Sequence, residues 1–415
     1  MDVNDYRDEP ALLISRSALL HNLRLIRNQL APDTKICAMI KADAYGHGAG
    51  VIADTLCHCT DDHREPPLID AVALASLDEA LSLQKLPDSV AAYVFRPVEN
   101  VYLGRTRDKL EAAVARGMIL TICSPAAADD VARIAMSIGR RADVQIMVDT
   151  GMRRTGVEPT HVDELARHIE SRPSLRLVAV CTHFASAEKP GELLTAHQLE
   201  TFKESIDNIV RHAAAQGRSI VRHACNSAGV FFHRTAHLDM VRPGIALYGI
   251  DPTPRVHLDR PLRPVLKWVA PLVAVMPTLR GQSVGYNQTY TATRDTNIGI
   301  VPIGYGDGYP RAMSNKGTMI VRDRPVPVVG RVSMDLCAVD LHGLNDVKVG
   351  DPATIIDNDP LSPASVYRIA ERCETIPYEI LTGIGHRVRR VAVDDVVKID
   401  ATDRDEKSER QNRVA

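Results

Sequence analysis

In the first three-fifths of the chain, short apolar runs alternate with longer stretches whose apolar residues recur at spacings of three and four. The apolar runs lie at residues 35–40, 71–74, 92–95, 119–123, 144–149, 175–182 and 220–223, with a broader one at 238–248. They are nearly continuous in hydrophobic character, which is how strands covered on both faces read. The stretches at 17–29, 124–137, 161–170 and 193–216 have helical periodicity. Strands alternating with helices predict parallel βαβ units. Eight such units in about 250 residues predict an α/β fold, an N-terminal (β/α)8 barrel. An open doubly wound sheet would show the same alternation, but no G-x-G-x-x-G follows any of the runs.

Beyond Pro264 the pattern changes. Short Val-, Ile- and Pro-rich runs at 265–278, 297–303, 319–321, 327–329, 336–341 and 388–397 follow one another without long helical periods, and predict a mainly-β C-terminal domain. The proline-rich segment 255–264 is the expected linker. The expected organisation is therefore a barrel domain over 1–255, a β domain over 265–400 and a charged, nearly apolar-free tail over 401–415 that is expected to be disordered.

Composition narrows the function classes. The chain has 415 residues, is 45% hydrophobic and 25% charged, and carries a net charge of −2. That balance gives no electrostatic reason for a nucleic-acid or anionic-membrane partner and points to a small-molecule one. The acidic start MDVNDYRDEP has no apolar targeting core, and no apolar run is long enough to span a bilayer, so a cytoplasmic protein is expected. Eight cysteines are scattered, several inside apolar runs, as reduced core residues are. Cys57, His58, Cys59 and His63 cluster, but they lack the second ligand pair of a structural zinc site, and no metal is expected.

The barrel prediction locates the chemistry, because active sites of this fold sit where strands end at their C-terminal side. Lys41 closes the first run, where a half-desolvated amine has a lowered pKa and is available as a nucleophile toward a carbonyl; Gly46 and Gly48 follow it. The other runs end in Asp149 to Arg154, in Thr182-His183-Phe184-Ala185, in His223-Ala224-Cys225-Asn226-Ser227 and in Arg242-Pro243-Gly244-Ile245. Singly, each could be an ordinary strand terminus, and Ser227 an ordinary helix cap. Together on one rim they make a candidate site. The Ser227 hydroxyl with the Gly244 and Ile245 amides suits an anion. An anion cup beside a strand-end lysine suggests pyridoxal phosphate.

Read in order, MIKADAYGHG, VDTGMRRTGV, THFASAE, HACNSAG, VRPGIALYG, SVGYNQTY, IGYGDGYPR, GRVSMD and TIPYE make the chain resemble the alanine racemases over residues 10–395. The resemblance implies a pyridoxal 5'-phosphate enzyme that interconverts L- and D-alanine for peptidoglycan. It implies that Lys41 bonds to the cofactor and is one catalytic base, with Tyr286 the opposed base. Tyr45, Ser227, Gly244, Ile245 and Tyr378 match the phosphate-binding positions, and Arg242 the arginine at the pyridine nitrogen. Arg154, His183 and His223 match supporting residues near the ring and the tyrosine. Met334 matches the residue whose amide meets the substrate carboxylate, while Tyr305, Arg311 and Asp335 match positions lining the entrance. A head-to-tail homodimer with shared active sites is implied as well.

One position departs from the family pattern. Where many members carry a carbamylated lysine that braces the arginine matching Arg154, this chain has Met147. A chloride or a nearby carboxylate is the expected replacement. Racemisation of serine or of a broader set of amino acids, a non-catalytic cofactor carrier and a decarboxylase of the same fold type are the competing readings. Tyr305 and Tyr378 argue for a small side chain, and the β domain with Tyr286 argues against a carrier.

Overall fold

The structure is a computed structural model and describes residues 8–57, 68–98, 105–253 and 261–395. His58, Cys59 and His63 of the cysteine–histidine cluster, residues 255–260 of the expected linker and the tail at 401–415 lie outside the described residues. The chain divides into two compact units. One is Asn22–Leu247 with Asp251–Arg255; the other is Met1–His21 with Tyr248–Ile250 and Val256–Ala415.

The first unit is a closed barrel of eight parallel strands, as the alternation predicted. With the chain's first strand, β1, at Ala11–Ser15, the barrel strands are β2 (Lys35–Met39), β3 (Ala71–Leu74), β4 (Ala91–Val94), β5 (Ile119–Ile122), β6 (Ala142–Met147), β7 (Leu175–Cys181), β8 (Val221–His223) and β9 (Met240–Val241). Closure is made by β9 on β2, with Lys35 opposite Met240 and Ile36 opposite Val241. Most inward and outward side chains of these strands are buried, which is why they lack a polar alternation. The last strand is much shorter than the run at 238–248. Pro243 cannot donate to a ladder, and the chain leaves β9 as a loop that carries Arg242, Gly244 and Ile245.

Local signals fix where the crossovers start. Ser76 and Glu79 form a reciprocal capping box at the head of the helix Leu77–Ser82, and Ser124 caps Pro125–Ser137 with proline at its first position. Asn226 caps Ser227–Phe232 by accepting from the Gly229 amide at 2.9 Å.

The second unit is mainly β, built on a nine-stranded sheet. In spatial order its strands are Ala274–Thr278, Thr296–Val301, Cys337–Asp340, Arg324–Val329, Thr318–Val321, Pro352–Ile356, Leu266–Pro271, β1 and Arg389–Val393. Two short helices, Val366–Arg372 and Pro377–Thr382, belong to it. The sequence reading found neither these helices nor the strand at 352–356.

The position of β1 differs from the expected division at residue 255. It pairs antiparallel with Leu266–Pro271, Leu12 opposite Trp268, and parallel with Arg389–Val393. Ala11, Leu12, Leu13 and Ile14 are all buried. Each large apolar side chain among them contributes roughly 1.5–3 kcal/mol of burial. Removing residues 1–15 should therefore disturb the β unit, not the barrel. Trp268 is the chain's single tryptophan and is fully buried. Its emission should shift to the red in the truncated protein; unchanged emission would show that β1 is dispensable to this sheet.

Candidate active site

Lys41 follows β2 and opens a turn that runs in the left-handed sense. Ala42, Asp43, Ala44 and Tyr45 have φ of 52–54°, and Gly46 ends the turn at φ 83°. For L-residues this costs roughly 1–2 kcal/mol each, so the turn persists only because its surroundings hold it. The holding bonds are identifiable. Within the turn, the Ala44 amide reaches Ile40 O and the Gly46 amide reaches Ala42 O, each at 2.9 Å. Asp43 Oδ1 accepts from the Ala49 amide at 2.7 Å, and the Ala42 amide donates to Glu79 Oε1 at 3.0 Å. Four consecutive strained residues beside one lysine are the mark of a working site.

At the centre of the rim stands Arg242, only 3% exposed. Its Nη1 donates to His223 Nδ1 at 2.9 Å, and its Nη2 to Thr182 O at 2.8 Å, Ala224 O at 3.0 Å and His183 Nδ1 at 3.3 Å. The guanidinium also lies over the Phe95 ring, 5.4 Å from its centroid. Among the described residues no carboxylate pairs with it. A guanidinium only donates, so both Nδ1 atoms must accept and each neutral ring carries its proton on Nε2. Burial, then the Arg242 charge, hold both histidines neutral: His183 is pushed down to about 3, and His223 lies well below the usual histidine range.

Lys41 feels the same field. Burial and the Arg154 and Arg242 cations lower its pKa, and the Glu79 carboxylate opposes them. The interior thiols of Cys37, Cys181 and Cys225 are pushed up to about 12 by burial, which makes them packing groups and not nucleophiles.

The anion cup is rearranged relative to expectation. Ser227 Oγ accepts from the Gly244 amide at 2.9 Å and from the Ala246 amide at 3.3 Å. Those amides are thus engaged, and the donors left for an anion are the Ser227 hydroxyl proton and the Ile245 amide. Tyr45 comes so close to Gly244 that a Cβ there would lie 2.4 Å from its Oη. Only glycine leaves that hydroxyl its place.

Pyridoxal phosphate fits these residues. The Ser227, Ile245 and Tyr45 donors suit its phosphate. The four bonds of Arg242 all use its Nη atoms, so Nε–H remains for a ring acceptor. The buried His223 Nε2 is a donor without a partner among the described residues. Behind the rim, Gln198 steadies the His183 loop, donating to His183 O at 3.1 Å and accepting from the Ala185 amide at 3.0 Å.

No carboxylate of the described residues takes the place of the absent carbamate. Met147 Sδ accepts from Thr155 Oγ1 at 3.3 Å, Glu158 pairs with Arg153, and Arg154 is exposed and forms no ion pair among the described residues.

The other expected residues belong to the β unit. Tyr286 opens a short 3-10 turn after Gly285 and is 69% exposed. Asn315 steadies that turn, donating from Nδ2 to Thr289 O at 3.3 Å and accepting on Oδ1 from the Gly330 amide at 2.6 Å. Tyr305 and Met334 are exposed, and the Met334 carbonyl accepts from the Gly306 amide at 2.8 Å. Arg387 bridges Asp307 and Asp335 at 2.6 Å each, bracing the segment that carries Met334. Arg311 opens the 3-10 turn Arg311–Met313, and Tyr378 lies in the helix Pro377–Thr382.

The sequence reading missed Glu79, Phe95, Gln198, Asn315 and Arg387. Only Glu79 carried a local signal, the S-x-x-E box directly after a strand. Among the described residues no group of His, Cys, Asp and Glu could hold a metal ion, and no helix is long and apolar enough to cross a membrane.

Comparison with known proteins agrees with this geometry. Residues 14–252 match the model of the alanine racemase N-terminal domain, and residues 265–392 that of the alanine racemase C-terminal domain. The alanine racemase of Chlorobaculum tepidum is 35% identical over 385 residues, 92% of this chain and 94% of that protein. The crystal structure of alanine racemase from Streptomyces lavendulae matches with a TM-score of 0.81 at 28% identity, covering 94% of this chain and 98% of that one. The Bartonella henselae alanine racemase, crystallised with covalently bound pyridoxal phosphate, matches with a TM-score of 0.75 at 28% identity, covering 93% and 99%.

The close approach of Tyr45 to Gly244 is directly testable. Gly244→Ala should cost about 1–3 kcal/mol in urea unfolding through overpacking. In a Tyr45→Phe background, where the clashing hydroxyl is gone, the same substitution should cost distinctly less. Equal costs in the two backgrounds would mean that the contact is unimportant.

Proposed function

The chain belongs to the alanine racemase family and is a pyridoxal-phosphate-dependent alanine racemase, and within that activity we propose that Lys41 and Tyr286 are the two opposed bases. The observation that carries this reading is the environment of Lys41: a half-buried amine on a strained turn, its pKa lowered by burial and by the Arg154 and Arg242 cations. A lowered pKa favours the neutral amine, the form that attacks a carbonyl and that accepts a proton.

Lys41 anchors the cofactor through that amine. The Ser227 hydroxyl, the Ile245 amide and the Tyr45 and Tyr378 hydroxyls would hold its phosphate, and Arg242 would meet its ring nitrogen. When bound, pyridoxal phosphate supplies the electron sink that acidifies the α-carbon of the substrate. Arg242 keeps its own proton, because a guanidinium does not give it up, so a ring nitrogen bonded to it would stay largely unprotonated and the sink would stay moderate. His183 and His223, locked neutral with Nδ1 turned to Arg242, carry that arginine and cannot deliver a stray proton.

Racemisation removes a proton from one face of a carbon and returns one to the other, so two bases on opposite sides avoid any rotation of the bound substrate. Lys41 serves one face and Tyr286 the other, with Arg154 and His183 as the supporting groups near the phenol. The Met334 amide receives the substrate carboxylate, and Tyr305 lines the approach with Arg311 and Asp335. We further propose a head-to-tail homodimer in which each barrel is completed by the Tyr286, Tyr305 and Met334 of the partner subunit. Exposed Tyr286, Tyr305, Met334 and Leu336 on the β unit support this, since soluble chains seldom leave such a group of large apolar side chains uncovered. Supply of D-alanine for peptidoglycan is the purpose this reading carries.

The test is racemisation in D2O, following chirality and α-deuterium from each enantiomer. Tyr286→Phe should lower turnover by roughly 10²–10⁴-fold, the usual worth of a general base. It should abolish exchange from one enantiomer while the other retains some. Lys41→Ala should abolish both cofactor retention and turnover. A fully active Tyr286→Phe enzyme would overturn the two-base scheme.

A further inference from the structure

The left-handed turn after β2 places Lys41, yet its own residues disfavour that conformation. A side chain that joins this turn to another strand end through a backbone amide is Glu79, from the helix that follows β3. Its Oε1 accepts from the Ala42 amide at 3.0 Å. Its Oε2 accepts from the Ala75 amide at 2.7 Å and from the Ser76 amide at 3.3 Å. One carboxylate therefore ties the residue next to Lys41 to the end of β3. Bonds of amides to a carboxylate are roughly twice as strong as neutral ones, and three share this one group.

We propose that Glu79 is the positioning residue of Lys41: its carboxylate clamps the Lys41 turn to the end of β3 and brings a negative charge to that turn. This rests on the reading of Lys41 as the cofactor anchor.

Charge accounts for the second half of the assignment. The groups acting on Lys41 are Arg154, Arg242 and Glu79, and Glu79 is the anion among them. Arg154 and Arg242 are themselves without a carboxylate partner among the described residues, and Met147 contributes no charge. Burial and the two cations thus push the amine toward neutrality, and the Glu79 carboxylate opposes them. Ser76 separates this role from simple helix capping. Its Oγ accepts from the Glu79 amide at 3.3 Å and takes no part in the contact with Ala42.

The experiment uses the full-length protein in two forms. In protein stripped of cofactor and reductively methylated with 13C, the Lys41 resonance is assigned by its loss in Lys41→Arg, and its pKa is read by NMR. In cofactor-loaded protein, the rate of pyridoxal phosphate loss on dilution is read by absorbance. Glu79→Gln, nearly isosteric but uncharged, should lower the Lys41 pKa and speed cofactor loss roughly tenfold, the worth of a charge-assisted bond. Ser76→Ala should lower thermal stability while leaving both readouts in place. Should the Gln variant be insoluble, Glu79→Asp, whose shorter arm cannot span both strand ends, should speed cofactor loss in the same way. An unchanged Lys41 pKa and unchanged cofactor loss in the Glu79 variant, or equal effects from Ser76→Ala, would overturn the proposal. Borohydride reduction of the loaded protein followed by peptide mass analysis checks the underlying reading separately. A cofactor label on a residue other than Lys41 would refute the anchor assignment, while the NMR result would still report on Glu79.

Discussion

A guanidinium buried without a carboxylate is the constraint from which the rest of the barrel site follows. Removing a cation from water costs several kcal/mol even after relaxation, and a set of well-placed acceptors offsets it. Arg242 obtains that set from two carbonyls and two imidazoles at the ends of β7 and β8, with the face of Phe95 beneath it. The price falls on the neighbours, since both histidines must stay neutral to accept, and the Arg242 charge adds to the burial and Arg154 charge that lower the Lys41 pKa. A carboxylate in the same place would make the arginine comfortable and the site chemically ordinary. With none paired to it among the described residues, the rim keeps a positive field.

The second constraint is conformational. Lys41 is aimed by a left-handed turn that no propensity favours, and the turn survives because Glu79, Asp43 and the local amide network over-determine it. The same economy appears at Gly244, where the absence of a side chain allows the Tyr45 hydroxyl to stand against the backbone beside Ser227. Charge and backbone strain therefore act on one rim from opposite directions. One sets the protonation of the groups, the other where they point.

Much of this was readable from the chain. Strands buried on both faces announce themselves as continuous apolar runs, so β2 to β8 fell within a residue or two of expectation; their polar ends named Lys41, His183, His223 and Ser227, and the run holding β9 named Arg242. What the sequence concealed depended on partners distant in the chain. The strand β1 is a short apolar run like many others, and only its pairing with Trp268 and Arg390 assigns it to the β unit. The left-handed turn leaves almost no trace in ADAYG beyond its closing glycine. The short helices of the β unit carry too few turns for a periodicity to develop. Phe95 and Gln198 act through contacts with Arg242 and the His183 loop that no local pattern encodes, whereas Glu79 was visible as a capping box whose second function was not. The family motifs, for their part, supplied the proposed roles of Tyr286 and Met334, which no spacing argument reaches.

The central claim is that burial, together with the Arg242 charge, keeps both rim histidines neutral. A histidine whose folded pKa is lowered favours the folded state above its ordinary pKa of about 6.5 and loses that contribution as the pH falls below it. The most direct measurement is 15N NMR of the His183 and His223 imidazoles between pH 7 and pH 5. The account predicts neutral rings throughout, with the proton on Nε2 and Nδ1 unprotonated. A ring of either residue that titrates near pH 6.5, with both nitrogens protonated at pH 5, would contradict it.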